Sequence, residues 1–202
     1  SWTLPTNAGE SMVVVLALLA GMALPVTPVQ ILWINLITAI TLGLALAFEP
    51  TEAGTMARPP RARNAPILSG GLVWHVVLVA TLFLAAVFGI FTYAIDKGYP
   101  LALAQTMAMN MLVVLEIFHL FFIRNIHSTS LTWAAARGTR IVWTVVIVIT
   151  AAQFAVTYLP PLQAVFGTQP VPLMDGLLIV SIGAAFFALI ETEKQIRLGL
   201  RG

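Results

Sequence analysis

Six apolar blocks, at roughly 4–24, 31–48, 71–95, 104–123, 140–158 and 174–190, divide this chain, and each is about long enough for one helix to cross a bilayer. A helix rises ~1.5 Å per residue through a hydrocarbon layer ~30 Å thick, so a crossing takes about 20 residues. The other structure that satisfies its backbone inside lipid is a closed barrel, whose strands would be ~10 residues of alternating polarity. These blocks are continuous. The predicted class is therefore all-α, a polytopic membrane bundle of about six transmembrane helices. Only 9% of the 202 residues are charged, against roughly 25% in soluble domains.

The basic residues alternate along the connections. Residues 49–70 carry Arg58, Arg61 and Arg63, 96–103 carry Lys97, 124–140 carry Arg124, Arg137 and Arg140, 159–173 carry none, and the tail carries Lys194, Arg197 and Arg201. Positive charge collects on the cytoplasmic side of a membrane. Loops at about 49–70 and 124–139 and the tail 191–202 are thus expected in the cytoplasm, and 21–30, 96–103 and 159–173 on the other side. No connection is long enough for a soluble domain, so 1–202 reads as a single membrane domain. Cysteine is absent, which excludes disulfides and thiolate metal sites. The start, SWTLPTNAGE, has no basic run or cleavage pattern, so no secretory signal is expected. The loop EPTEAGTMARPPRARNAPILSG contains four prolines; it should lie along the cytoplasmic surface as a docking segment or a plain solvated connector. The uncharged PPLQAVFGTQPVPLM suits an external turn, and the tail should prolong the last helix, with Glu193 and Arg197 paired four apart.

Polar groups at membrane depth need a reason. A carboxylate there costs about 2.5–3.5 kcal/mol or more, so it faces the bundle interior and meets a cation, a proton or a polar partner. Glu10 and Glu116 are the acidic residues well inside apolar blocks. Asn7 precedes Glu10 by one helical turn; Asn35 and Thr38 share a face of the second block, followed by the small residues Ala39, Gly43 and Ala47 at spacing four. Glu116 has His119 one turn on, as a proton relay or as an ordinary bundle histidine. Asn35 and Thr38 could equally be hydrogen-bonding glue between helices, and Thr150, Gln153 and Thr157 read as packing. Oxygen ligands with no sulfur suit hard cations, Ca²⁺, Na⁺ or K⁺, or a proton. The residues thus point to a cation-binding helical bundle and leave its energy source open.

The runs TNAGE, PVTPVQILWINLIT, LALAFEPTEAGTMARPPR and ILSGG, over residues 5–70, resemble the fifth and sixth membrane helices and following loop of type II P-type cation-transporting ATPases. The resemblance implies a C-terminal transmembrane region, fifth to tenth helices, beginning part-way into the fifth. It implies that Asn7 and Glu10 match the family's NxGE ion ligands, Asn35 and Thr38 its sixth-helix Asn and Thr, and Glu116 its eighth-helix Glu. Ala39 stands where calcium-pump-like members carry an Asp, which argues against two-ion calcium transport. The chain contains no Asp-Lys-Thr-Gly-Thr motif, so ATP and Mg²⁺ would belong to cytoplasmic domains outside it. Expected partners are those domains, the pump's first helices and the lipid bilayer, with no nucleic acid; the expected location is the cell membrane. The competing expectations are a self-contained six-span channel or secondary carrier, and a non-transporting scaffold.

Overall fold

The computed structural model describes residues 3–39, 43, 47, 70–123 and 140–199. Its elements are α1 (Thr3–Leu19), α2 (Pro28–Ile34) continued by a π-helical turn (Asn35–Ala39), α3 (Gly70–Asp96), α4 (Leu101–Ile123), α5 (Arg140–Tyr158), α6 (Pro160–Phe166) and α7 (Leu173–Gly199). Helices α3, α4, α5 and α7 are long and apolar enough to cross a membrane, while α1 and α2 are apolar but shorter among the described residues. The chain is an all-α, multi-pass integral membrane protein, as the block lengths lead one to expect.

The helix ends follow local chemistry. Apolar character runs on past Leu19, yet α1 stops there. Gly21 adopts a left-handed φ of 62°, and the Met22 N–H closes back onto the Ala17 carbonyl at 3.0 Å. Only a residue without a Cβ takes that turn at little cost. The expected first span, 4–24, is thus too long at its end. Gly98 closes α3 in the same way, with φ 79°. The start of α2 is a reciprocal cap: Thr27 Oγ1 accepts the Gln30 N–H, the Gln30 side chain accepts the Thr27 N–H, and Pro28 fills the first turn. The expected turn at 159–173 contains the short helix α6, and the tail does prolong α7, with Arg197 3.4 Å from Glu193. The two arginine-bearing loops lie outside the described residues.

Helix α1 packs along α3, α3 along α4, and α4 along α7, with α2 also against α4. The axis of the bundle is α4. Of its apolar window 72% is buried, against 33% or less for α3, α5 and α7, so α4 meets protein on nearly every side while the others turn most of their apolar surface outward. Close approach of α7 to α4 depends on Gly183: a Cβ there would stand 2.5 Å from Val114 Cγ1 and 2.7 Å from Phe118 Cδ2. Gly43, in the small-residue stripe expected after Thr38, has nothing described within 4 Å of a Cβ.

At the opposite end from the tail, Asp175 in the first turn of α7 is 1% exposed. Its carboxylate accepts from Tyr99 Oη at 2.8 Å, Lys97 Nζ at 3.0 Å and Tyr93 Oη at 3.1 Å. This ties the α3–α4 turn to α7. Tyr99, Asp175 and Tyr93 hold the Lys97 ammonium above the ordinary lysine range. Its contribution is therefore complete below the ordinary lysine value and is lost only as pH rises through the raised one. Asp175→Ala leaves three donors without their acceptor and should lower the thermal unfolding midpoint by roughly 5 °C. Tyr99→Phe, which removes one bond, should lower it less; equal midpoints for all three proteins would show that the tie is not stabilising.

Candidate cation site

Four of the five candidate ligands converge. Glu10 on α1 and Glu116 on α4 are 6% and 2% exposed, and their carboxyl groups interact directly with each other. Asn35 Nδ2 donates to Glu10 Oε2 at 2.9 Å and to the Ile31 carbonyl at 3.1 Å. Thr38 faces Glu116 while donating its hydroxyl proton to the Ile34 carbonyl at 2.6 Å. Both polar residues of the second block therefore anchor on the preceding turn and present their remaining polarity to the carboxylates. They sit within the π turn, a widened form of helix that recurs at functional sites.

Asn7 does not join them. It is exposed on α1, although one helical turn separates it from Glu10. A spacing of three leaves an offset of about 60° around the helix axis, enough to carry a residue over the edge of a narrow buried face. The neighbouring residue on that face is Gly9, whose Cβ would stand 2.9 Å from Phe83 Cβ. Helix α1 lies this close to α3 because position 9 has no side chain, and that contact aims Glu10 inward.

Glu10 Oε1 and Glu116 Oε2 are buried and have no hydrogen-bond partner among the described residues. Unpartnered buried oxygens are costly, and a cation or a proton between them removes the cost. The donors are carboxylate, amide and hydroxyl oxygens, the set preferred by hard cations. Among the described residues no group of three or more His, Cys, Asp or Glu gathers to hold a metal.

Other polar residues at membrane depth do structural work. Gln153 Nε2 donates to Asn110 Oδ1, Thr157 Oγ1 donates to the same oxygen at 3.2 Å, and Trp33 Nε1 donates to Gln153 Oε1 at 3.0 Å. This network joins α2, α4 and α5, so Gln153 and Thr157 of the polar stripe read as packing do pack helices together. Thr150 stays outside it, exposed along a mostly apolar cleft of about 350 Å³ between α4, α5 and α7 that contains neither carboxylate. His119 is fully buried and pairs with His75 of α3 at 3.2 Å. Nothing in the sequence links these histidines, which stand 44 residues apart. Asn110 was findable, as an amide in an apolar block two turns before Glu116.

Residues 23–196 match the family model described as "Cation transporting ATPase, C-terminus". The chain is 43% identical over 197 residues to the "Probable cation-transporting ATPase F" of Mycobacterium tuberculosis, covering 97% of this chain and 22% of that protein. It is 30% identical over 192 residues to a "Calcium-transporting ATPase" of Bacillus subtilis, covering 91% and 20%. To the "Cation-transporting ATPase pma1" of Synechocystis it is 30% identical over 175 residues, covering 84% and 19%. The chain spans about a fifth of the length of these relatives.

Proposed function

Because the chain belongs to the type II P-type cation-transporting ATPases, as their C-terminal membrane region, we propose that Glu10, Glu116, Asn35 and Thr38 bind the cation that the pump carries. The observation behind this is that two directly interacting carboxyl groups each keep a buried oxygen, Glu10 Oε1 and Glu116 Oε2, without a hydrogen-bond partner among the described residues. Asn7 completes the site from the exposed side of α1, where the pump's earlier helices would cover it. ATP and Mg²⁺ act in cytoplasmic domains outside this chain, and the loop at 49–70 relays their movement to α2. The tail 191–202 and the loop at 124–139 face the cytoplasm, and the pump works in the cell membrane. Residues 1–202 act as one membrane domain, with lipid and the rest of the pump as partners.

Ala39 sets the valence. With two carboxylates instead of three, the site suits a monovalent ion, a proton or one divalent ion rather than a pair of calcium ions. The test is cation-stimulated ATP hydrolysis by the complete ATPase and its Ala39→Asp variant, titrated with Ca²⁺, Na⁺ and K⁺. Wild type should respond with a single-site curve, and Ala39→Asp should raise apparent Ca²⁺ affinity by about tenfold or more, about 1.4 kcal/mol. Cooperative two-ion activation of wild type by Ca²⁺ would refute the inference from Ala39.

A further inference from the structure

Three side chains from three helices form one directed chain of hydrogen bonds beside the cation site. Trp33 Nε1 donates to Gln153 Oε1 at 3.0 Å, Gln153 Nε2 donates to Asn110 Oδ1, and Thr157 Oγ1 donates to the same oxygen at 3.2 Å. The direction of each bond is forced. An indole nitrogen only donates, so the Gln153 oxygen faces Trp33 and its amide nitrogen is left to face Asn110. Turning the Gln153 amide over would set N–H against N–H at Trp33. Gln153 is 8% exposed and Thr157 is 2% exposed, so each bond lost here leaves a buried polar group behind.

Trp33 stands two residues before Asn35, and the backbone is still α-helical there, with φ −60° and ψ −36° at Asn35. Two residues turn a helix by about 200°, so the two side chains leave α2 on opposite sides. On one side Trp33 is bound to α5; on the other Asn35 Nδ2 donates to Glu10 Oε2 of α1 at 2.9 Å. A rotation of α2 that frees one of them swings the other through the same angle. Some 20° of rotation carries a side-chain tip, about 5–6 Å from the axis, through about 2 Å, which is enough to break a hydrogen bond. The chain ends on α4, where Asn110 lies six residues before Glu116, about 9 Å along the axis. It therefore refers the aim of one ligand-bearing helix to another.

We propose that Trp33, Gln153 and Asn110 are positioning residues for cation binding: their hydrogen-bond chain fixes the rotation of α2, and with it the aim of Asn35 at Glu10, relative to the helix that bears Glu116. None of the three touches the cation. The role rests on the assignment of the cation to Glu10, Asn35, Thr38 and Glu116. It makes a glutamine on α5, which offers no oxygen to the site, a determinant of apparent cation affinity. Without the chain the same ligands would be present, but α2 would have to be ordered as the cation binds, and that ordering weakens binding.

The experiment is ATP hydrolysis by the complete ATPase, stimulated by Ca²⁺, Na⁺ or K⁺ in turn, with the half-saturating cation concentration and the maximal rate read separately. Trp33→Phe removes the indole N–H and keeps a ring against Phe166, whose centroid lies 5.0 Å from that of Trp33. It should raise the half-saturating concentration by about three- to tenfold, the worth of one net hydrogen bond, at an unchanged maximal rate. Gln153→Leu, which loses both bonds, should raise it further. In an Asn35→Ala background Trp33→Phe should add nothing, because its effect passes through Asn35. Asp175→Ala, which removes a tie between the α3–α4 turn and α7, is the control for lost stability and should leave the half-saturating concentration alone. Full additivity of Trp33→Phe with Asn35→Ala, or an equal shift in Asp175→Ala, would overturn the proposal. So would wild-type affinity in folded Trp33→Phe and Gln153→Leu. If neither variant folds, the wild type decides: coupling between sites is reciprocal, so the activating cation should shift the ¹⁵N–¹H resonance of the Trp33 indole, and an unmoved resonance would refute the role. A faulty cation assignment shows separately, as an unchanged half-saturating concentration in Glu116→Gln, and the positioning role then falls for want of a site.

Discussion

Glu116→Gln in the complete ATPase is expected to weaken cation activation of ATP hydrolysis by about a hundredfold or more. Truncating one member of a buried, hydrogen-bonded charged set costs about 2–5 kcal/mol, because the partners are left without compensation. Glutamine keeps the volume and one acceptor oxygen, so the change isolates the charge. The neighbours make the effect large: Glu116 is 2% exposed, meets Glu10 and Thr38 directly, and water cannot replace what it offers. Glu10→Gln should behave alike, with Asn35 then facing an amide in place of the carboxylate it now donates to at 2.9 Å. Thr38→Ala should cost less, since the hydroxyl proton is already bound to the Ile34 carbonyl. The measurement is the half-saturating cation concentration for ATPase activity. Wild-type values in both glutamine variants would remove the carboxylates from the site and favour the scaffold reading.

Gly183→Leu is expected to prevent α7 from seating on α4, and Gly183→Ala to destabilise the protein by about 1–3 kcal/mol. A methyl group at 183 would meet Val114 Cγ1 at 2.5 Å and the Phe118 ring at 2.7 Å and 2.8 Å. Neither neighbour can yield easily, because Val114 is β-branched and stiff about χ1 and Phe118 is a rigid ring. Two residues before and two after Glu116, these side chains lie on the side of α4 opposite to it, at ~100° per residue. Pushing there drives Glu116 toward α1 and α2. Loss of thermal stability should therefore come with altered cation affinity. Gly176→Ala is the control: it stands on the same helix with nothing within 4 Å of a new Cβ, and should be neutral or gain up to about 1 kcal/mol in helix propensity. Val114→Ala should partly rescue Gly183→Ala. Equal stability of the two alanine variants would contradict the close approach.

The sequence made the spans legible because crossing a bilayer demands length and continuity together, and both can be counted. Helix α5 occupies 140–158 as expected, and α3 and α4 differ from expectation by a few residues at most. The end of α1 was hidden since Met22, Ala23 and Leu24 continue the apolar run, while the turn at Gly21 is set by φ and not by polarity. Glu10, Asn35, Thr38 and Glu116 were visible as polar residues with no business in lipid. Asn7 shows the limit of that logic: helical spacing places a residue on a face, but which neighbouring helix covers the face is a tertiary fact. Asp175, Glu191 and Lys194 went unnoticed as buried groups because each sits just at or past the edge of an apolar block. They are 1% exposed, since α7 runs the full length from Leu173 to Gly199. His75 and His119 carry no local pattern at all, and only the packing of α3 on α4 brings them together.

The π turn in α2 has a mechanical meaning. A helix that closes i→i+5 holds one residue more than the α register around it requires. Within Asn35–Ala39 the residues therefore drift out of the register that Pro28–Ile34 sets, by up to about 100°, the rotation of one residue. Deleting a single residue between 35 and 39 would restore the α register and take Asn35 and Thr38 out of step with each other on the face that meets the carboxylates. The widened turn thus works as a phase shifter: it lets the helix that seats Ile34 in the core show its amide and hydroxyl to the carboxylates in a register of their own.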